Sequence, residues 1–89
     1  MEIRCAVPDE GLNFTMNWEE SIFPSIGDAF YLTHFLNEED LLSLRVRKRK
    51  REMEETLFDI LDDNLLYVKN RSWLRHQDGK TYCLLILEY

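Results

Sequence analysis

The sequence predicts an α+β fold, in which a small antiparallel sheet of four or five strands is covered by one or two helices. Three observations support this prediction. Alternating segments flank a turn near each end of the chain, and apolar residues recur at helical spacing between them. A chain of 89 residues has room for one hydrophobic core, so we expect residues 1–89 to form a single domain.

The N-terminal end predicts a hairpin. Residues 2–7 alternate as a strand does, and residues 12–18 alternate strictly. The apolar side chains that share one face of the second segment are Leu12, Phe14, Met16 and Trp18. Between the segments lies Pro8-Asp9-Glu10-Gly11, where proline presets φ and glycine tolerates a positive φ, as a turn requires.

The C-terminal end predicts a second hairpin. Polar and apolar residues alternate over residues 66–75, and residues 81–89 are nearly continuously apolar, which is typical of a central strand covered on both faces. Asp78-Gly79 suits a two-residue loop. That loop would pair Arg75 with Tyr82 and Trp73 with Leu84. One face of the hairpin would then carry Tyr67, Lys69, Arg71, Trp73, Arg75 and Tyr82.

A helix is predicted from Ser25 to Asn37. Ser25 and Asp28 have the spacing of a capping box, and the apolar residues that follow share a broad helical face.

Residues 38–63 allow two interpretations. Asn37 and the three acidic residues after it resemble a capped helix start, and a stripe from Leu42 to Leu61 would make one long helix. However, Lys50 falls within that stripe, and basic residues precede acidic ones at i→i+4, which is the poorer orientation. We therefore favour a strand over residues 42–46, followed by a helix from Glu52 to Asp62.

The charge is strongly segregated along the chain. The net charge is −6, yet residues 45–51 carry six basic side chains, and acidic residues lie on both sides of them. This run predicts either a phosphate-contacting segment, or a nuclear-import signal, or a solvated segment that neutralises its acidic neighbours. The candidate phosphate-binding residues are Arg45, Arg47, Lys48, Arg49, Lys50 and Arg51.

The predicted hairpin face allows three interpretations. Aromatic rings interleaved with guanidinium groups can stack the bases of a single-stranded nucleic acid. Tryptophan, tyrosine and arginine are also the residues enriched in hot spots of protein interfaces. In the third interpretation, Trp73 belongs to the core. The candidate partner-binding residues are Tyr67, Arg71, Trp73, Arg75 and Tyr82.

No complete catalytic or metal-binding motif is present in the sequence, so we expect neither an enzyme nor a cofactor. Cys5 and Cys83 have apolar neighbours and, with His34 and His76, show no metal-ligand spacing. We expect both thiols to be reduced, which indicates an intracellular protein, cytoplasmic or nuclear. The apolar runs are too short to span a membrane, and Glu2 and Arg4 lie where a signal peptide would begin.

Two segments resemble the CYTH family of triphosphate-tunnel proteins. Residues 43–49, Ser-Leu-Arg-Val-Arg-Lys-Arg, are similar to that family's strands of alternating inward basic residues, and Leu57-Phe58-Asp59 through Trp73-Leu74-Arg75 is similar to its aromatic-Asp segment and Leu-Arg strand. The resemblance implies binding of a triphosphate or polyphosphate. The N-terminal Glu-x-Glu-x-Lys of the family is replaced here by Glu2-Ile3-Arg4-Cys5-Ala6, and 89 residues are too few to close an eight-stranded tunnel.

These observations favour a small, non-catalytic protein-interaction module, such as an adaptor, an accessory subunit or an inhibitor. The sequence is also compatible with a homo-oligomer. The alternative is a phosphate, polyphosphate or single-stranded nucleic-acid binder that uses residues 45–51.

Overall fold

The computed structural model describes residues 1–50 and 52–89. Within them it contains five strands and two α-helices. The strands are β1 (Glu2–Val7), β2 (Leu12–Asn17), β3 (Ala29–Phe30), β4 (Leu66–Arg75) and β5 (Thr81–Glu88). The helices are α1 (Glu38–Arg45) and α2 (Leu57–Asp63), and 3-10 turns cover Pro8–Glu10 and Leu32–His34.

The five strands form one sheet in the order β2-β1-β5-β4-β3. The α+β class and both predicted hairpins, β1–β2 and β4–β5, are confirmed. The prediction of a purely antiparallel sheet is wrong, because β1 and β5 pair in parallel and join the two hairpins. A parallel pair needs a long crossover between its strands, and here the chain from β2 to β4 provides it.

The hydrophobic core lies on one face of this sheet. Cys83, Leu85 and Leu87 of β5 are buried in the same cluster as Ile60 and Leu61 of α2. The alternate residues of β5 are only half-buried on the other face, which we call the open face. The prediction that β5 is central is therefore right, and the prediction that both its faces are covered is wrong.

The predicted register of the C-terminal hairpin is wrong by one residue. Arg75 pairs with Thr81 and Trp73 pairs with Cys83. The loop has three residues, since the His76 amide donates to the Lys80 carbonyl at 2.8 Å, and Gly79 adopts a φ of 90°. Because side chains alternate across a strand, a one-residue shift changes which side chains share a face.

The helix predicted from Ser25 to Asn37 is absent. The side chain of Asp28 does accept the Ser25 amide, at 2.7 Å, but the pair closes a turn in which Gly27 has a φ of 94°, outside the helical region. The segment then forms β3 and the 3-10 turn Leu32–His34. Thr33 is buried there and donates to Asp62 of α2 at 2.8 Å.

Residues 38–63 form two helices, so neither interpretation of this region is right. The predicted strand 42–46 lies largely within α1, which Asn37 caps by accepting the Asp40 amide at 2.8 Å. The second helix begins at Leu57 rather than at Glu52, because Thr56 and Asp59 form a reciprocal capping box. The hydrogen bonds from Thr56 lower the pKa of Asp59.

We predict that the amides of Leu84, Leu85 and Ile86 exchange among the slowest in the protein, because β5 has a strand on both sides. Hydrogen exchange followed by NMR measures this directly. Exchange as rapid as that of Gln77 and Asp78 in the hairpin loop would contradict the central position of β5.

Candidate functional site

The predicted hairpin face is divided between the two sides of the sheet. Arg71, Trp73 and Arg75 lie opposite Leu85, Cys83 and Thr81, on the side that carries the core. Tyr82 pairs with Leu74 and Tyr67 pairs with Glu88, on the open face. A bulge between Val68 and Asn70 shifts the register within β4. The structure therefore brings together three of the five candidate partner-binding residues and separates both tyrosines from them.

Arg71 and Trp73 hold the segment 23–25 against β4. The half-buried Arg71 donates from Nη1 to the Pro24 carbonyl at 3.0 Å and contacts Ser25 Oγ at 3.3 Å. The ring of Phe23 meets Trp73 edge to face, with the centroids 5.5 Å apart. Trp73 nevertheless keeps 49% of its surface exposed. It is therefore neither a core residue nor an isolated surface residue.

Phe23, the neighbour of Trp73, lines a shallow groove of about 230 Å³ that sequence reasoning missed. The ring centroids of Trp18 and Phe35 are 5.2 Å apart, and those of Phe35 and Phe30 are 5.5 Å apart in an edge-to-face pair. Ile22, which is 80% exposed, forms part of the rim. We call these residues together the aromatic patch: Trp18, Ile22, Phe23, Phe30, Phe35 and Trp73. The dense aromatic content of residues 18–35 is the available signal, but alternation places Trp18 on a predicted strand, and helical spacing places Phe30 and Phe35 on a predicted helix.

Tyr82 is engaged within the chain, on the open face. Its ring stacks on His76 at 4.3 Å, and the Arg4 guanidinium lies 4.6 Å from its centroid. Both Arg4 and His76 hydrogen-bond to the Glu2 carboxylate, at 2.8 and 3.1 Å. Burial opposes ionisation of Glu2, but these two bonds outweigh it and lower the pKa of that carboxyl.

Five of the six candidate phosphate-binding residues lie in the described part of the chain, and Arg51 lies outside it. Arg45 ends α1 with its guanidinium 4.4 Å from the centroid of the Phe58 ring. The next residues form a loop rather than a strand. This loop is tied to the start of α2. The Leu57 amide donates to the Arg47 carbonyl at 2.8 Å, and Lys48 forms an isolated antiparallel β-bridge with Thr56. The row of inward basic strand residues implied by the CYTH resemblance is therefore absent here.

Arg49 has a structural partner. Its Nε donates to Glu10 Oε2 at 3.1 Å, and its Nη2 donates to the other carboxylate oxygen. The Glu10 side chain is 1% exposed, so Arg49 neutralises a buried carboxylate in the turn between β1 and β2. The hydrogen bond with Glu10 raises the pKa of Arg49, and burial together with Glu10 raises the pKa of the neighbouring Tyr89. Arg47, Lys48 and Lys50 are exposed and form no ion pair with the described residues.

Both cysteines are free thiols inside the core. Burial, together with the nearby Cys83, raises the pKa of the Cys5 thiol to about 12, and burial also raises the pKa of Cys83. A thiol that ionises so reluctantly is a poor nucleophile at neutral pH. Over residues 1–50 and 52–89, no three His, Cys, Asp or Glu side chains are grouped as metal ligands, and no helix is long and apolar enough to cross a membrane.

Comparisons with known proteins find no match to this chain among family models, curated proteins or solved structures.

We predict that Arg49→Met lowers the stability of the fold, because it leaves the Glu10 carboxylate buried without its partner. Lys50→Met is the matched control, since Lys50 is exposed and forms no ion pair with the described residues. Urea denaturation followed by circular dichroism should show a lower midpoint for Arg49→Met alone. Combining it with Glu10→Gln should recover part of the loss. Equal midpoints for the two single variants would contradict a structural role for Arg49.

Proposed function

We propose that this protein is a small, non-catalytic interaction module that binds a partner protein through the aromatic patch, with Trp73 as its energetic centre. The observation that carries the proposal is the state of Trp73. Its ring packs against Phe23, which lines an apolar groove, and yet is half exposed. A rigid, exposed indole of this kind loses little conformational entropy on binding, which is why tryptophan dominates interface hot spots.

The charges on β4 indicate the chemistry of the partner. Arg71 and Arg75 are the charged residues of that strand that share a face with Trp73, and no carboxylate of β4 interrupts them. The partner surface we propose therefore presents an apolar side chain to the groove and carboxylates to this basic flank, because complementary charges direct association and register. Adaptors, accessory subunits and inhibitors all act through surfaces of this type.

Two features of the chain support binding rather than chemistry. The thiols, the side chains best suited to nucleophilic attack, lie within the core with raised pKa values. Arg71 already donates a hydrogen bond to the carbonyl of Pro24, a residue of the groove, and so fixes the position of this segment.

We predict that Trp73→Ala weakens partner binding by about 2 kcal/mol, which is about thirty-fold in the dissociation constant. The probe is a displayed library of random peptides, selected on the wild-type protein and then titrated by fluorescence anisotropy. Selected peptides should combine a large apolar residue with Asp or Glu.

Leu74→Ala is the matched control, because Leu74 is the next residue, is 40% exposed and lies on the opposite face of β4. It should leave peptide binding unchanged. Thermal denaturation of each variant separates lost binding from lost folding. Failure to select any peptide, or equal affinity of Trp73→Ala and the wild type, would contradict the proposal.

A second candidate function is supported by the exposed loop cations Arg47, Lys48 and Lys50, which could contact phosphate groups of a polyphosphate or a single-stranded nucleic acid. Binding of a labelled oligothymidylate tests it, with Arg47→Glu/Lys50→Glu as the variant and Lys80→Glu as the control. Arg49 is left intact because it supports the fold. Under the protein-binding proposal, the oligothymidylate stays unbound at about 150 mM salt. Tight binding that is lost only in the double variant would favour the second candidate.

A further inference from the structure

The strand β2 forms one edge of the sheet, and its outer side carries unused hydrogen-bonding groups. In the part of the chain that the structure describes, β2 pairs with β1 and with no other strand. An unpaired edge is a template on which another strand can pair.

The hydrogen bonds to β1 show which residues of β2 face outward. The Trp18 amide donates to the Met1 carbonyl at 2.7 Å, and the Met1 nitrogen donates to the Trp18 carbonyl at 3.1 Å. Bonded and non-bonded pairs alternate along an antiparallel ladder, so Met16, Phe14 and Leu12 also bond inward. The amide and carbonyl groups of Asn13, Thr15 and Asn17 therefore point away from the sheet.

The edge also lacks the devices that normally block pairing. Natural edge strands are protected by lysine, other charges, proline or bulges. Residues 11–18, Gly-Leu-Asn-Phe-Thr-Met-Asn-Trp, contain no charged residue and no proline, although 31% of the chain is charged. The pairing of β2 with β1 is regular over all six residues.

We propose that β2 pairs antiparallel with β2 of a second copy of this chain, in a register centred on Thr15, and forms a continuous ten-stranded sheet. Side-chain alternation limits the register to those that keep the covered face of one copy beside the covered face of the other. The register centred on Thr15 pairs Thr15 with its symmetry mate and Asn13 with Asn17 of the second copy. It satisfies all six outward backbone groups on each copy.

The side chains of β2 fit a second copy better than a charged partner. On the open face, Thr15 meets Thr15 and each Asn13 meets Asn17, so uncharged polar groups face one another across the junction. On the covered face, Phe14 lies beside Met16 of the second copy, and this contact buries the surface of Met16 that the monomer leaves exposed. A two-fold interface of this kind is self-complementary.

Two substitutions at Thr15 test the dimer. Thr15→Pro removes an outward amide without disturbing the bonds to β1, as prolines on edge strands do. It deletes one hydrogen bond from each copy and should raise the dimer dissociation constant about thirty-fold, as measured by sedimentation equilibrium. Thr15→Lys places two ammonium groups opposite each other in the dimer and should also raise the dissociation constant. Its control is Thr81→Lys, because Thr81 lies on β5, a strand inside the sheet.

The register is tested separately by oxidation of Thr15→Cys. A symmetric pair at this position places the two thiols within disulfide reach, so it should cross-link rapidly, whereas Asn13→Cys should not, because it faces Asn17 of the second copy. The native cysteines are buried and do not compete. Raising the salt concentration should strengthen the dimer, since each copy carries a net charge of −6. A protein that stays monomeric at about millimolar concentration, or Thr15 variants that dimerise like the wild type, would overturn the proposal.

Discussion

The parallel pairing of β1 with β5 is the contact on which the rest of the structure depends. Each hairpin alone is a two-stranded ribbon, which is at best marginally stable in water. Joining their inner strands places Ile3 and Cys5 beside Cys83 and Leu85, and all four side chains are buried. The helix α2 packs on the surface formed in this way, and the aromatic patch lies at its edge. The chain between the hairpins can therefore take an irregular path.

Local signals predicted both hairpins and one helix start correctly, but the Ser25/Asp28 capping pattern predicted a helix that is absent. Period-two alternation placed both hairpins, and Asn37 and its acidic neighbours carried a true helix start. The parallel junction could not be predicted, because it joins residues from opposite ends of the chain and no local pattern encodes it. The register of the second hairpin failed for a narrower reason. Asp78-Gly79 fits a three-residue loop with glycine at a positive φ as well as a two-residue loop.

The candidate site was predicted in composition but not in arrangement. Trp73, Arg71 and Arg75 do share one face of β4, while Tyr67 and Tyr82 lie on the other. Tyr82 changes face because of the one-residue difference in register, and Tyr67 because of the bulge between Val68 and Asn70. The basic run shows a different limit. A local count treats its residues alike, whereas Arg49 is set apart by Glu10, 39 residues away, whose carboxylate is buried. Burial of a distant partner is a tertiary fact that the sequence does not express.

The two buried thiols are native probes of the region where the hairpins join. Cys5 lies on β1 and Cys83 on β5, the two strands whose pairing unites the sheet. A thiol-specific reagent can reach either only when the core beside this junction opens, so the rate of alkylation under native conditions measures how often that part of the core is exposed. Because both thiols are native and buried, this alkylation rate can be measured without an engineered label.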